Sequence, residues 1–124
     1  MISVTLFKEG DNVIGYRLTG HADQGPNGQD IVCAGVSTLS IAALNTLTDV
    51  CRLSEFVHYE VRDGFLSVHL NSSKLSAQEM HDAQIALRGM ELAMIDLAKQ
   101  YPKAIKITYK EVSHDSDSAS AVFE

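Results

Sequence analysis

The residues with the clearest chemical potential are a histidine and a cysteine on either side of a glycine-containing segment. His21 follows a predicted strand, and Cys33 lies 33 − 21 = 12 residues further on, in the first turn of a predicted helix. A thiol at a helix N-terminus is favoured as thiolate by free N–H groups and the helix dipole. An imidazole can accept the thiol proton and return it to a leaving amine, while the N–H groups bind an oxyanion. The pair therefore predicts nucleophilic chemistry on a carbonyl group, although spacing alone leaves open a buried thiol and a loop histidine.

Residues near this pair could support it. Asp30 directly precedes the predicted helix, and we expect it to be the N-cap, accepting a hydrogen bond from the N–H of Val32 or Cys33. The alternative is that its carboxylate orients His21. Ser37 lies four residues after Cys33 and so on the same helix face. It is expected either to hydrogen-bond to the sulfur or a substrate, or to be a small packing residue.

Glycines surround the same segment. Gly25 and Gly28 are expected to supply the bends of a loop between strand and helix, and Gly20 and Gly35 to permit close backbone approach. A loop that joins rigid elements is a common position for functional residues.

Composition narrows the possible partners. The 124 residues include ten Lys plus Arg and 16 Asp plus Glu, so the net charge is 10 − 16 = −6. No cluster of Lys and Arg occurs along the chain, so direct nucleic-acid binding is not expected, and the acidity suits a basic partner. Two cysteines and the absence of a secretion signal predict a reducing cytoplasm, and no segment is expected to span a membrane.

The second cysteine is separated from the first. Cys51 follows Cys33 by 51 − 33 = 18 residues. In a continuous helix that is about 27 Å, far beyond disulfide reach. Cys51 is therefore predicted to be a packing residue.

The surrounding pattern predicts strands and helices in a defined order. Residues 2–19 read as a hairpin, 31–48 as an uncharged buried helix, 56–70 as a hairpin turning at Asp63-Gly64, and 104–110 as a last strand. Ser76 to Glu79 form a capping box that opens a second helix, which ends at Tyr101-Pro102. The fold class is then α+β: a two-layer sandwich with a mainly antiparallel sheet of about five strands and two helices on one face. A single domain over residues 1–110 and a polar, flexible tail over 111–124 are expected.

The second hairpin carries two further predictions. Its register places one apolar set on a single face, expected to be core: Val57, Tyr59, Val61, Leu66, Val68 and Leu70. On the other face His58 and His69 lie opposite each other beside Glu60, a spacing that could hold a metal with a third ligand. An ordinary polar face is the favoured interpretation, because zinc sites show three or four clear ligands. No metal or cofactor is expected.

The motif around the two candidate residues resembles a known family. The triplet Gly20-His21-Ala22, followed by Asp30-Ile31-Val32-Cys33-Ala34-Gly35-Val36-Ser37, is similar to the signature of the ribosomal-processing cysteine protease (Prp) family. The resemblance covers essentially the whole chain. Where many relatives carry Gly-Tyr after the triplet, this chain has Asp23-Gln24, which affects loop contacts with a substrate and not the pair itself.

The resemblance implies a function. It makes His21 and Cys33 a catalytic dyad in a cysteine endopeptidase that removes the basic N-terminal extension of a large-subunit ribosomal protein during ribosome maturation. It also implies a small α/β sandwich that forms a homodimer. The alternative is a non-catalytic ribosome-assembly factor that binds a ribosomal protein and whose thiol is structural.

Overall fold

The protein folds as one five-stranded sheet with two long helices. The structure, a computed structural model, describes residues 1–20 and 28–112, with only the backbone described at 28–30. The strands are β1 (Ile2–Glu9), β2 (Asn12–Thr19), β3 (Val57–Arg62), β4 (Phe65–Leu70) and β5 (Ile105–Glu111), and the helices are α1 (Gly28–Asn45) and α2 (Ala77–Gln100). Their order across the sheet is β3-β4-β2-β1-β5. The β1–β5 pair is parallel and the other pairs are antiparallel, which confirms the predicted α+β class.

The first hairpin forms as its alternation predicts. Ile2, Val4 and Leu6 on β1 are buried beneath the helices. A bulge in the β1–β2 register turns Ile14 to the outer face, where it packs against Phe7 in a small second cluster. The sheet therefore has a helix-covered inner face and an outer face with a small apolar cluster of its own.

The second hairpin has the predicted register but a smaller buried face than predicted. His58 pairs with His69, and Arg62 pairs with Phe65. Tyr59 and Val61 are 60% and 55% exposed, so the prediction that they belong to the core was wrong. They lie on β3, the edge strand, which places them at the margin of the helical layer. The alternation of apolar residues indicates a face but not how far the covering layer extends.

Helix α1 begins earlier than predicted and ends in a wider turn. It starts at Gly28 instead of residue 31, and a π-helical turn, Thr46–Val50, continues it. In that turn the Cys51 N–H donates to the carbonyl oxygen of Thr46, 2.8 Å away. The helical segment therefore continues to residue 50, two residues beyond the predicted end.

Part of this run has the length and composition of a membrane span. Residues Ile31–Val50 have a mean hydropathy of 1.6 over a helical length sufficient to cross a bilayer. The core helix of a soluble domain has the same properties, and here Val32, Val36 and Leu47 pack into the core with the sheet and α2. This packing accounts for the buried third of the segment.

Helix α2 and β5 follow the predicted pattern. Ser76 caps α2 with Glu79 in a reciprocal capping box, and Tyr101 ends it. The buried apolar residues lie at helical spacing: Ala83, Leu87, Met90 and Met94. Strand β5 continues to Glu111, and Val112 beyond it is buried. The rest of the predicted tail, 113–124, lies outside the described residues.

Candidate active site

The exit of β2 is fixed on both sides immediately before His21. Gly20 has a φ of +96°, and a Cβ at this position would lie 2.5 Å from the Met1 carbonyl oxygen. Its N–H donates to the Gly64 carbonyl oxygen in the β3–β4 turn, at 3.1 Å. The expected close backbone approach at Gly20 is confirmed. His21, Gly25 and the segment between them lie outside the described residues.

Cys33 lies near the start of α1 with its side chain half-buried. It packs against the main core cluster on one side, and its neighbours Ile31 and Ala34 are exposed on the other. Ile31 itself is 68% exposed. The thiol therefore lies at the boundary between core and solvent, a position compatible with attack on an external substrate.

The start of α1 corrects three predictions, one of them about this thiol. Cys33 is the sixth residue of a helix that begins at Gly28, so it lies in the second turn and not the first. Asp30 is the third residue and is not the N-cap, and Gly28 belongs to the helix and not to the preceding loop. An aspartate is favourable anywhere in the first turn because of the helix dipole, so its presence does not distinguish a cap from an interior position.

The corrected start changes which N–H groups are available. The first four N–H groups of a helix lack intrahelical acceptors, and that of Cys33 is not among them. The dipole effect also falls off within the first turn. The N–H groups near residues 28–31 are therefore the candidate oxyanion donors.

Ser37 and Gly35 lie further along α1. Ser37 is exposed, one turn after Cys33, which argues against a role as a small packing residue. At Gly35 the nearest atom to an added Cβ is Leu97 Cδ1, at an ordinary contact distance of 3.6 Å. The close backbone approach expected at Gly35 is therefore wrong, because the space there accepts a side chain.

Contacts that hold the site were not identified from the sequence. The Tyr16 hydroxyl, fully buried on β2, donates to the Ser40 carbonyl oxygen of α1 at 2.7 Å. Gly64 and Met1 hold Gly20 from two sides. The Asp63-Gly64 turn is visible in the sequence, but its position beside the end of β2 depends on the strand order, which no local signal specifies.

Comparison with known proteins assigns the chain to a family. The family model described as cysteine protease Prp matches residues 1–106. The chain belongs to the Prp family of cysteine proteases. The ribosomal processing cysteine protease Prp of Staphylococcus aureus is 28% identical over 109 residues, which cover 88% of this chain and 97% of that protein.

Solved structures of Prp show the same fold. An essential ribosomal processing protease Prp from S. aureus, in complex with a substrate peptide, matches with a TM-score of 0.72 at 26% identity, covering 89% of this chain and 100% of that one. The S. aureus protease with a covalently linked product peptide matches with a TM-score of 0.71 at 26% identity and the same coverage. The protein is therefore a cysteine protease.

The second cysteine of this Prp chain is in a different environment from the first. Both Cys33 and Cys51 are free thiols. Cys51 Sγ lies 3.9 Å from the Asp82 carbonyl oxygen, and burial and the Asp82 carboxylate raise the pKa of its thiol. A raised pKa disfavours the thiolate at neutral pH, as expected for the predicted packing role.

The histidine pair on the outer face forms as predicted. The rings of His58 and His69 stack at 6.3 Å between centroids. Glu60, the third ligand suggested by the sequence, instead accepts a hydrogen bond from Arg62 Nε at 2.9 Å. Within residues 1–20 and 31–112, no three His, Cys, Asp or Glu side chains are grouped to hold a metal.

Proposed function

We propose that this Prp-family protein is a ribosomal-processing endopeptidase with Cys33 as nucleophile and His21 as its general base and acid. Its substrate is a peptide bond in the basic N-terminal extension of a large-subunit ribosomal protein. The observation that carries the proposal is the family match across residues 1–106, which includes both residues of the motif. The half-buried Cys33 at the solvent boundary of α1 supports it.

The proposed reaction proceeds through a covalent intermediate. His21 takes the proton from the Cys33 thiol, and the thiolate attacks the carbonyl carbon of the scissile bond. The tetrahedral intermediate then collapses: the C–N bond breaks, and the imidazolium protonates the departing amine. Water, deprotonated by His21, hydrolyses the thioester and regenerates the thiol. The covalently linked product peptide of the S. aureus protease is compatible with a nucleophilic mechanism.

Oxyanion stabilisation is assigned to the start of α1. The Cα–Cβ bonds of a helix tilt toward its N-terminus, so Cys33 Sγ lies over the preceding turn. The N–H groups without intrahelical acceptors belong to that turn and point away from the helix, toward the side from which a carbonyl can approach. Asp30 is proposed as a supporting residue of this turn, together with Gly28 and the exposed Ser37; Gly20 and Gly25 support the segment that carries His21.

The proposed substrate agrees with the charge of the chain and with its location. A net charge of −6 attracts a basic extension. A ribosomal protein is processed where ribosomes assemble, so the protein acts in the cytoplasm, as a single domain over residues 1–110. The proposed chemistry uses protein side chains and water, and it requires no cofactor.

The test is a matched pair of cysteine variants. A synthetic peptide spanning the extension site of the host ribosomal protein is incubated with Cys33→Ala and with Cys51→Ala. Cleavage is expected to fall by about 10³-fold or more in Cys33→Ala, because the nucleophile is removed, and to persist in Cys51→Ala. His21→Ala is expected to lose activity in the same way. Full cleavage by Cys33→Ala, with circular dichroism showing folded protein, contradicts the proposal.

The non-catalytic alternative makes a different prediction about the thiol. If the protein only binds a ribosomal protein, Cys33 is an ordinary structural thiol. Iodoacetamide labelling of Cys51→Ala across pH distinguishes the two, because a thiol activated by His21 alkylates well below the pH range of an ordinary cysteine. Labelling only at alkaline pH, together with an intact peptide, favours the binding function.

We further propose that the protein is a homodimer whose interface lies on the C-terminal half of α1, beyond the turn that carries Cys33 and Ser37. From Ile31 to Thr48 the helical run carries no charge, and Ile41 in its second half is 38% exposed. An uncharged exposed helix face is typical of a protein interface. Ile41→Lys is expected to shift sedimentation toward a monomer, whereas Ile85→Lys, on the exposed face of α2, leaves it unchanged. A monomeric parent protein contradicts the proposal.

A further inference from the structure

The outer face of the sheet concentrates positive charge in an acidic protein. Three rows of outward positions cross all five strands, from β3 at one edge to β5 at the other. Four of the chain's ten Lys and Arg residues lie in these rows: Arg62 on β3, Arg17 on β2, and Lys106 and Lys110 on β5. The same rows hold one acidic residue, Glu60. Among the described residues, these rows therefore carry an excess of 4 − 1 = 3 positive charges, although the chain totals −6.

These cations come together only in the folded chain. Arg17, Arg62 and Lys106 are each about 45 residues apart in sequence, so no basic run marks them. Across the sheet, Arg62 lies on the first strand, Arg17 on the third and Lys106 on the fifth. With strands about 4.8 Å apart, they span about 19 Å of surface.

The two arginines are held against aromatic rings. The guanidinium of Arg62 lies 3.9 Å from the centroid of the Phe65 ring, and its Nε donates to Glu60 at 2.9 Å. The Arg62 side chain is still 57% exposed. Arg17 lies 5.4 Å over Phe7 in the same way. A guanidinium plane fixed on a ring is a platform on which a nucleic-acid base stacks.

The remaining positions carry groups that bind phosphate. Lys106 and Lys110 are exposed at the β5 edge, with Thr108 exposed between them. Thr5 and Ser67 flank Arg17 on the neighbouring strands. Lys, Arg, Ser and Thr side chains make most phosphate contacts in protein–nucleic acid complexes.

Part of the negative charge lies on the other side of the sheet. Acidic residues of α2, such as Glu79, Asp82 and Asp96, lie in the layer on the other side of the sheet. A helical layer is about 10 Å thick, and the Debye length at physiological salt is about 8 Å. Those charges are therefore largely screened from a ligand on the outer face.

We propose that the outer face of the sheet is a binding surface for single-stranded RNA, with Arg17, Lys106 and Lys110 contacting phosphates and Arg62 stacking on a base. This binding is separate from the protease reaction and does not depend on the proposed dyad. It reverses the expectation from the sequence that the protein makes no direct contact with nucleic acid.

The experiment uses two double variants with the same change of charge. Fluorescence anisotropy measures binding of a fluorescein-labelled oligouridylate of about 16 nucleotides to the full chain between about 50 mM and 200 mM salt. Lys106→Glu/Lys110→Glu reverses two cations on the outer face. Lys74→Glu/Lys99→Glu reverses two exposed cations away from the outer face.

Lys106→Glu/Lys110→Glu is expected to bind the RNA about tenfold or more weakly, and the slope of log K against log salt is expected to become shallower by about 2. Lys74→Glu/Lys99→Glu is expected to stay within about twofold of the parent.

Three results overturn the proposal. The first is that the parent protein does not bind the RNA at the lowest salt, and the second is that both double variants lose the same RNA affinity. The third is that Lys106→Glu/Lys110→Glu changes the sedimentation of the protein and not its RNA affinity, which makes this face an interface between copies. Peptide cleavage is measured in parallel and is expected to be unchanged in both variants. Loss of RNA binding with normal cleavage therefore separates this proposal from the proposed protease function.

Discussion

At the scale of single residues, the site depends on backbone positions as much as on reactive side chains. Gly20 is enclosed by the Met1 carbonyl and hydrogen-bonded to Gly64, so the direction of the chain entering His21 is set by a contact that a side chain would destroy. Gly35, two residues after Cys33, has no such constraint. The two glycines of one motif are therefore expected to respond oppositely to substitution.

Gly20→Ala is expected to destabilise the protein by about 2–3 kcal/mol, because the new Cβ meets a backbone oxygen and the φ of +96° is unfavourable for alanine. Gly10→Ala is the matched control: its φ is +61°, but no atom lies within 4 Å of an added Cβ. The difference between the two free energies of unfolding, from urea denaturation, measures the steric contact together with the extra backbone strain of φ +96° over +61°. Equal losses contradict the assigned role of Met1.

Gly35→Ala is expected to raise the free energy of unfolding by about 0.5–1 kcal/mol. Alanine is the better helix former, and its Cβ makes an ordinary contact with Leu97 at 3.6 Å. Gly89→Ala on α2, where no atom lies within 4 Å, reports the helix-propensity gain alone. If Gly35→Ala loses stability while Gly89→Ala gains it, the backbone at residue 35 does require glycine.

At the scale of elements, one hydrogen bond fixes the helix that carries the thiol to the strand that leads to the histidine. Tyr16 lies at the centre of β2, and its hydroxyl reaches the carbonyl of Ser40 on α1. Ser40 in turn donates from Oγ to the Val36 carbonyl oxygen at 2.6 Å. Burial raises the pKa of Tyr16 far above neutrality, so the hydroxyl remains a donor at every working pH.

Tyr16→Phe is expected to lower the free energy of unfolding by about 1–2 kcal/mol, because one buried hydrogen bond is lost with almost no change of volume. Tyr59→Phe is the control, since Tyr59 is 60% exposed on the edge strand. Chemical denaturation of both variants measures the difference. If Tyr16→Phe is as stable as Tyr59→Phe, the bond does not hold α1 on the sheet.

Local signals were sufficient for most elements of this fold. The Asp63-Gly64 turn sets the register of its hairpin, and the capping box at Ser76 sets the start of α2; both are confirmed. These features depend on residues adjacent in sequence. The start of α1 was wrong by three residues, because Asp30 is favourable both as a cap and within the first turn.

Features set by distant contacts were not predictable in the same way. The exposure of Tyr59 depends on β3 being an edge strand, which pairs with β4 alone because β5 joins the opposite edge beside β1. For the site, the motif pointed to Cys33, whereas its half-buried position and the steric limit at Gly20 depend on contacts between residues distant in sequence; Met1 is 19 residues from Gly20. Sequence patterns describe neighbours along the chain, and strand order brings together residues that are not neighbours.

At the scale of the whole molecule, the two faces of the sheet have different properties. The inner face is apolar and covered by both helices, whereas the outer face carries cations, hydroxyl groups and a small cluster around Phe7 and Ile14. His69 on the outer face is a titratable residue that is buried, with only 8% of its surface exposed. Its neighbours across the strands are His58 on β3 and Gly15 on β2, with Arg17 one row away.

This burial makes stability depend on pH. Burial, with a smaller contribution from His58, lowers the pKa of His69 from 6.5 to about 4. Between those pH values the unfolded chain binds a proton that the folded protein does not, so acidification favours unfolding. The contribution of His69 to stability is complete above pH 6.5 and is lost as the pH falls to about 4, by up to about 3 kcal/mol.

His69→Gln is expected to remove this pH dependence of the free energy of unfolding. His81→Gln, which replaces an exposed histidine on α2, is expected to keep it. Urea denaturation at pH 7 and pH 4.5 measures the free energy of unfolding of each variant. If the parent and His69→Gln lose the same free energy between these pH values, His69 is protonated in the folded protein. That result contradicts its burial as a neutral group.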